Sequence, residues 1–176
     1  MADSLLGPVE LVVAAFSDEQ EASKVLKQMR QWDREGTIAI LNAAELIKRV
    51  DGKVTMRETE DVPGGRGALF GAIVGGLVGL LGGPAGAIVG AAAGAATGGI
   101  AASQIDMGFD DAALRDIQES LTPGSSAVIA LVQHEWVDRV VAILDELNAV
   151  LFRQTLKTEI AAQLAADQAE ATQEAD

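Results

Sequence analysis

The single histidine of the chain, His134, is the residue best suited to proton transfer. It lies in the run Gln133-His134-Glu135-Trp136, between a predicted strand and a predicted helix. Such elbows often carry ligands or catalytic groups, and the Glu135 carboxylate beside His134 suggests a proton-transfer pair. Adjacent helical residues point in different directions, however, so the two need not touch. The structural alternative places His134 near a helix N-cap, with Trp136 anchoring the helix to a sheet. His134, Glu135 and Trp136 form the candidate elbow site.

Other polar clusters give weaker indications of a bound ion. Acidic residues lie on both sides of an uncharged stretch, and carboxylates suit calcium or magnesium. Their spacing matches no known ion-binding loop, and a solvated acidic collar is the simpler explanation. A second histidine is absent, and Gly64-Gly65-Arg66-Gly67 lacks the ending of a phosphate loop. We predict no catalytic residue, no cofactor and no metal. The acidic residues are Glu58, Glu60, Asp61, Asp106, Asp110 and Asp111.

The most pronounced pattern concerns helix packing. No charged residue occurs between Arg66 and Asp106, and glycine recurs there at every fourth position in two registers. Residues four apart share one face of a helix, so each register predicts a bare backbone groove. Such grooves let two helices approach closely, which favours their association. We predict that these glycines pack helices together and assemble copies of the chain. The registers are Gly67, Gly71, Gly75, Gly79, Gly83 and Gly82, Gly86, Gly90, Gly94, Gly98.

The uncharged stretch predicts a helical hairpin that turns at Gly83-Pro84. Residues 67–82 would span roughly 24 Å and residues 85–105 roughly 31 Å, against a hydrocarbon core of ~30 Å. The first arm is rich in Leu, Ile, Val and Phe, whereas the second is diluted by Ala and Gly and would not insert alone. Pairing of the arms is therefore needed both for membrane insertion and for burial in the core of a soluble oligomer.

The composition excludes several classes of function. A formal net charge of -13 and a pI near 4.4 disfavour binding to nucleic acid and to anionic lipid headgroups. Membrane association would have to come from the apolar hairpin. No secretory signal is visible at the N-terminus, so a cytoplasmic start is expected. Arg57 and Arg66 precede the hairpin, which would place the soluble parts on the cytoplasmic side.

Outside the glycine-rich stretch, the chain has the pattern of two βαβ units. Each has an apolar strand, a polar elbow, an amphipathic helix and a second strand, and the first unit adds a hairpin at Asp51-Gly52. Two such units predict an α+β fold of the ferredoxin-like two-layer sandwich type, interrupted by the glycine-zipper helical hairpin. Strands are predicted at residues 9–16, 37–41, 53–60, 126–132 and 150–156, and helices after Ser17-Asp18, at residues 110–121 and at residues 137–147.

The chain divides into four predicted segments. Residues 1–62 and 107–157 are the two halves of the α+β domain, and residues 63–106 are the apolar hairpin. Residues 158–176 form an acidic tail rich in Ala and Gln. We expect this tail to begin as a helix with Ile160 and Leu164 docked on the domain.

Several turn and elbow signatures carry a resemblance to known families. They include Gly36-Thr37-Ile38, the hairpin Asp51-Gly52-Lys53-Val54-Thr55, the turn Leu121-Thr122-Pro123-Gly124 and the elbow His134-Glu135-Trp136. In these the chain resembles two related bacterial families, the domains of unknown function 1269 and 6325. The first has a glycine-rich apolar insert at the same place and is usually described as a predicted membrane protein. The resemblance implies no catalytic residues.

These observations favour a non-enzymatic structural or scaffold protein. It would be a homo-oligomer associated with a lipid bilayer and assembled through the glycine-zipper hairpin. The alternative is a soluble, cytoplasmic, self-assembling protein whose hairpins form a buried hydrophobic core that could enclose an apolar ligand. An enzyme using His134 and Glu135 is the least favoured reading, and the sequence identifies no small-molecule substrate.

Overall fold

The computed structural model describes residues 8–58, 70–71, 73–79, 111–164 and 166. They form an α+β unit with one antiparallel five-stranded sheet and five helices. The strands are β1 (Val9–Phe16), β2 (Ile40–Lys48), β3 (Val54–Glu58), β4 (Ser125–Gln133) and β5 (Val150–Thr155). The helices are α1 (Glu21–Arg34), α2 (residues 70–71 and 73–79), α3 (Asp111–Ser120), α4 (His134–Glu146) and α5 (residues 158–164 and 166).

The order of strands across the sheet is β3-β2-β4-β1-β5. β1 and β2 both pair antiparallel with β4, so they run parallel to each other with β4 between them, and α1 connects them. β4 and β5 have the same relation around β1, with α4 as their connection. Each strand–helix–strand unit therefore inserts a strand between the two strands of the other.

Helices cover both faces of the sheet. Val12, Ala14 and Phe16 of β1 belong to a core cluster with apolar residues of α1 and α4, which defines the α1/α4 face. Leu11 and Val13 point the opposite way, because side chains alternate along a strand, and join apolar residues of α2, α3 and α5 on the α2/α3/α5 face. The described residues thus form three layers, whereas the sequence predicted two. The second helical layer, formed by α2, α3 and α5, was not predicted, because a local pattern does not show which face of a sheet a helix covers.

α2 carries a continuous apolar stripe onto the sheet. Its buried residues recur at helical spacing, and each fully buried side chain of this size contributes about 1.5–3 kcal/mol. The described part of the first arm, residues 70–71 and 73–79, is therefore part of the domain core. The second arm, residues 85–105, lies outside the described residues. The buried residues of α2 are Phe70, Ile73, Val74, Leu77 and Val78.

Two element boundaries differ from their predictions for local reasons. α1 begins at Glu21 rather than after Ser17-Asp18, because the Asp18 carboxylate accepts the Gln20 N–H at 2.8 Å and forms a turn there. The strand predicted at residues 37–41 begins at Ile40 and extends to Lys48. Its extension pairs with β4 on one side and β3 on the other, and long-range pairing of this kind is invisible to a local pattern.

The turn predicted at Asp51-Gly52 and the predicted docking of Ile160 and Leu164 are confirmed. Gly52 adopts φ +82° between β2 and β3, a conformation that glycine reaches without steric cost. In α5, Ile160 and Leu164 are buried against the α2/α3/α5 face. Within the part of the chain that the structure describes, no helix has the length and apolar character needed to cross a membrane.

Candidate functional site

The elbow residue His134 contacts a distant strand rather than its neighbour. It is the first residue of α4, and its backbone N–H donates to the Pro8 carbonyl at 2.8 Å. Its Nδ1 lies 2.8 Å from Oε1 of Glu10. Glu135 instead accepts a hydrogen bond from Nε1 of Trp136 at 3.1 Å. The pair suggested by adjacency in the sequence, His134 with Glu135, is therefore replaced by His134 with Glu10.

Glu10 is the centre of a charged cluster. Its side chain is 5% exposed, and Arg153 contacts its Oε2 through Nε at 3.1 Å and through a terminal guanidinium nitrogen at 3.0 Å. The other terminal nitrogen of Arg153 lies 3.3 Å from the exposed Asp138 carboxylate. Both carboxylate oxygens of Glu10 thus have partners, as a buried charge requires. We call Glu10, His134, Asp138 and Arg153 the Glu10 cluster.

Three elements place the Glu10 cluster at one end of the sheet. In the β1–β5 register, Val12 lies opposite Arg153, so Arg153 shares the α1/α4 face with Glu10, which is two residues from Val12. His134 and Asp138 are four apart in α4 and lie on one face of that helix, above the strands. The cluster therefore joins β1, β5 and the first turn of α4.

The chemistry of the Glu10 cluster favours a structural role. Both oxygens of the Glu10 carboxylate are engaged, one by His134 and the other by Arg153. His134 is 65% exposed, so one side of its ring faces solvent. No group of three or more metal-ligating side chains occurs among the described residues. Of the acidic residues proposed as a collar, only Glu58 and Asp111 lie in the described part of the chain.

Glu10 and Arg153 were not predicted as site residues. Each is the only charged residue of its strand, VELVVAAF for β1 and VLFRQT for β5. An isolated charge in a strand that is otherwise uncharged is a signal for a partner charge, because burial of an unpaired charge is expensive. A lone charge in a strand therefore marks a candidate residue but does not identify its partner, because the strand order decides which charges lie close together.

A second set of polar contacts fastens α1 to the same face. The buried Ser126 hydroxyl accepts the Ala22 N–H at 3.1 Å and donates to the Asp18 carbonyl. Ser23 donates to Oε2 of Glu45, whose position opposite Val128 assigns it to the α1/α4 face. Glu10 and Glu45 are the two buried carboxylate residues among those described, and both lie on this face.

The described glycines of the first register lie in α2 but beside its buried stripe. Gly71, Gly75 and Gly79 are each half-buried. At ~100° per residue, their common direction is rotated by roughly 130° from the middle of the stripe formed by the buried residues. The aliphatic side chains contact the sheet, and the glycine ridge is directed elsewhere. The remaining glycines of both registers lie outside the described residues.

Fold and site together define an α+β protein with an antiparallel sheet between helical layers and a buried ion-pair cluster at one end. The family described as Protein of unknown function (DUF1269) matches residues 68–168, more than half of the chain, and the chain belongs to that family. The match begins at α2 and extends to α5, so it covers the glycine-rich stretch as well as the second strand–helix–strand unit. This confirms the first resemblance expected from the sequence. Comparisons with curated proteins and with solved structures give no match.

Proposed function

We propose that this protein is a non-enzymatic, self-assembling structural protein whose copies associate through the glycine ridge of α2. The observation that carries this proposal is that the apolar residues and the glycines of α2 lie on different sides of the helix. Its aliphatic stripe is buried on the sheet, while Gly71, Gly75 and Gly79 lie on another side and are half-buried. A ridge of glycines lets a second helix approach closely, and the second arm, residues 85–105, and further copies are its proposed occupants.

We also propose that the α+β unit is a ferredoxin-like domain. Without the edge strand β3, the strand order is β2-β4-β1-β5, and α1 and α4 lie on one face. This order and the two interleaved strand–helix–strand units support a ferredoxin-like domain. The glycine-zipper hairpin would be inserted between the two halves of this domain. Its first helix, α2, would pack on the sheet face opposite α1 and α4.

The engaged carboxylate of Glu10 supports a role without catalysis for this residue. A general acid or base needs a proton position free to face a substrate. Here His134 and Arg153 occupy the two carboxylate oxygens of Glu10. The cluster therefore serves to hold α4 and β5 against β1, and we assign no substrate or cofactor to it.

Glycine-mediated assembly is tested by placing bulk on the ridge. In Gly75→Leu the side chain would occupy the groove, so the native mass should fall to that of a smaller species. The matched control is Gly76→Leu, because Gly76 is also half-buried in α2 but lies outside the register. Both changes raise helix propensity similarly, which removes helix stability as an explanation. Native mass spectrometry and sedimentation velocity measure the outcome. An assembly unchanged in Gly75→Leu would contradict the proposal.

Membrane association is the second proposal. It rests on the uncharged length of residues 85–105, roughly 31 Å as a helix, which approaches the thickness of a hydrocarbon core. The soluble domain would then lie on the cytoplasmic side, and without insertion the protein would be cytoplasmic. Flotation of the full chain with zwitterionic phosphatidylcholine vesicles distinguishes the two. Co-flotation that resists high salt supports insertion, whereas recovery at the bottom of the gradient without detergent supports the soluble assembly.

A further inference from the structure

The outer edge of β5 is a second surface suited to self-association. β5 is the last strand of the sheet, and no described strand lies beyond it. It contains no proline, and its register with β1 runs from Val150 to Thr155 without a bulge. Proline residues and β-bulges commonly protect the edges of natural sheets, because an unprotected edge can pair with another strand. β5 has neither kind of protection.

The hydrogen-bond pattern identifies which groups of β5 face outward. The Leu156 N–H donates to the Val9 carbonyl at 2.9 Å, so these opposed residues form a hydrogen-bonded pair. Such pairs alternate along an antiparallel ladder, which means that the even-numbered residues of β5 bond with β1. The N–H and C=O groups of Leu151, Arg153 and Thr155 therefore point away from the sheet. Within the described part of the chain, their one partner is the Gln154 side-chain amide, which donates to the Thr155 carbonyl at 3.2 Å.

The charge of Arg153 does not protect this edge. Its guanidinium is held on the α1/α4 face by Glu10 and Asp138. A strand added beside β5 would consequently meet a guanidinium paired with two carboxylates rather than an unpaired cation. On the opposite face, Val150 is 52% exposed and Phe152 is half-buried, next to a recess lined by Leu11, Val13 and Ile117. Of the three β5 side chains on this side, Val150 and Phe152 are thus apolar and Gln154 is polar but uncharged.

Two copies of β5 complement each other in one antiparallel register. With Phe152 on a twofold axis, Leu151 lies opposite Arg153 of the second copy, and the outward-facing groups of these two residues can exchange both N–H···O bonds. Phe152 then meets Phe152 in a non-hydrogen-bonded pair, where side chains are closest. Val150 lies opposite Gln154, and no like charges meet. An axis at Arg153 would instead set Arg153 against Arg153.

We propose that β5 pairs with β5 of a second copy of this chain about a twofold axis at Phe152, forming a continuous ten-stranded sheet. The proposal does not depend on the glycine ridge, since β5 and α2 are separate elements. Together the two surfaces would link copies in two directions. An isologous strand pair is self-complementary by symmetry, which favours a second copy over an unrelated peptide.

Cysteine cross-linking tests the register directly, because the full chain contains no cysteine. In Phe152→Cys the two thiols would face each other across the axis at about 4.5 Å between Cα atoms, within reach of a disulfide. The matched control is Gln154→Cys, whose copies would be roughly 14 Å apart and unable to bridge. Mild oxidation should yield a covalent dimer in the first variant alone. Equal cross-linking of both variants, or none in Phe152→Cys, would overturn the proposal and leave the edge to another partner.

A charge pair tests the same register without changing Phe152. Val150→Lys with Gln154→Lys places like charges opposite each other across the axis, and the dissociation constant should rise at least tenfold. Val150→Lys with Gln154→Glu places opposite charges there and should restore dimerisation. Sedimentation equilibrium in the Gly75→Leu background separates this interface from the glycine ridge. If Gly75→Leu leaves the mass unchanged but the like-charge variant lowers it, the proposed function fails and the β5 interface stands. Identical masses for both charge variants would refute the interface.

Discussion

The two faces of the sheet are held by different kinds of interaction. On the α1/α4 face, Glu10 and Glu45 are buried carboxylates, and the buried Ser126 bonds to the backbone around the start of α1. On the α2/α3/α5 face, the described part of α2 contributes Phe70, Ile73, Val74, Leu77 and Val78, all apolar. One face combines apolar packing with directional polar contacts, and α2 is held on the other by apolar burial.

This difference matters because the two kinds of interaction constrain a helix differently. Hydrogen bonds and ion pairs depend on direction, so the polar contacts define the position of α1 and α4 along the sheet. Apolar burial depends mainly on area and shape and tolerates small displacements. The helix that carries the glycine ridge thus lies on the face where its position is less narrowly defined. Such a helix can adjust to a second helix packed against its glycines.

The largest effect is expected for the apolar face. Ile73→Ala removes a fully buried side chain of α2 and should lower the free energy of unfolding by about 2–5 kcal/mol. Urea denaturation followed by circular dichroism measures it. Gly76→Ala in the same helix serves as control and should be neutral or slightly stabilising. A neutral Ile73→Ala would mean that α2 does not depend on the sheet, and the comparison between the faces would fail.

An intermediate effect is expected for the Glu10 cluster. Glu10→Gln keeps the shape but leaves Arg153 without its main anionic partner, which should cost about 1–3 kcal/mol. Arg153 is 40% exposed and still near Asp138, so the loss should stay below that of a fully buried unpaired charge. A double-mutant cycle with Arg153→Gln should give a coupling of about 0.5–3 kcal/mol. Glu135→Gln, which leaves the cluster intact, is the control. Additive single effects would show that the cluster does not hold β5 to β1.

The smallest effect is expected for an exposed pair on the outer side of α1. The hydrogen bond and the charge of Glu21 raise the pKa of Lys24 above its ordinary value. A raised folded-state pKa stabilises the protein below the unfolded pKa, and this contribution disappears as the pH rises through the folded value. In Glu21→Gln the Lys24 titration should move down towards its ordinary range, with little change in the urea midpoint. NMR titration of the Lys24 side chain measures the shift, and an unmoved midpoint of titration would contradict the pairing.

Much of the local structure follows from short-range patterns. Gly52 occupies a position with φ of +82°, where glycine is favoured, and the hairpin there was predicted. Strand β5, predicted at residues 150–156, is found at Val150–Thr155. The end of β2 was not predicted, because Asn42 and the residues after it become a strand through pairing with β3 and β4. A local pattern does not contain that information.

The sequence by itself determined the amphipathic stripe of α2, the spacing of its glycines and the isolated charges of β1 and β5. These are periodic or local properties, and helix and strand geometry convert them directly into faces. Only the tertiary structure decided that His134 pairs with Glu10, 124 residues away, and that Arg153 completes the cluster from 143 residues away. Only the tertiary structure decided that the stripe of α2 meets the sheet. The physical reason is the strand order, which brings β5 beside β1 and leaves a second face for α2 to cover.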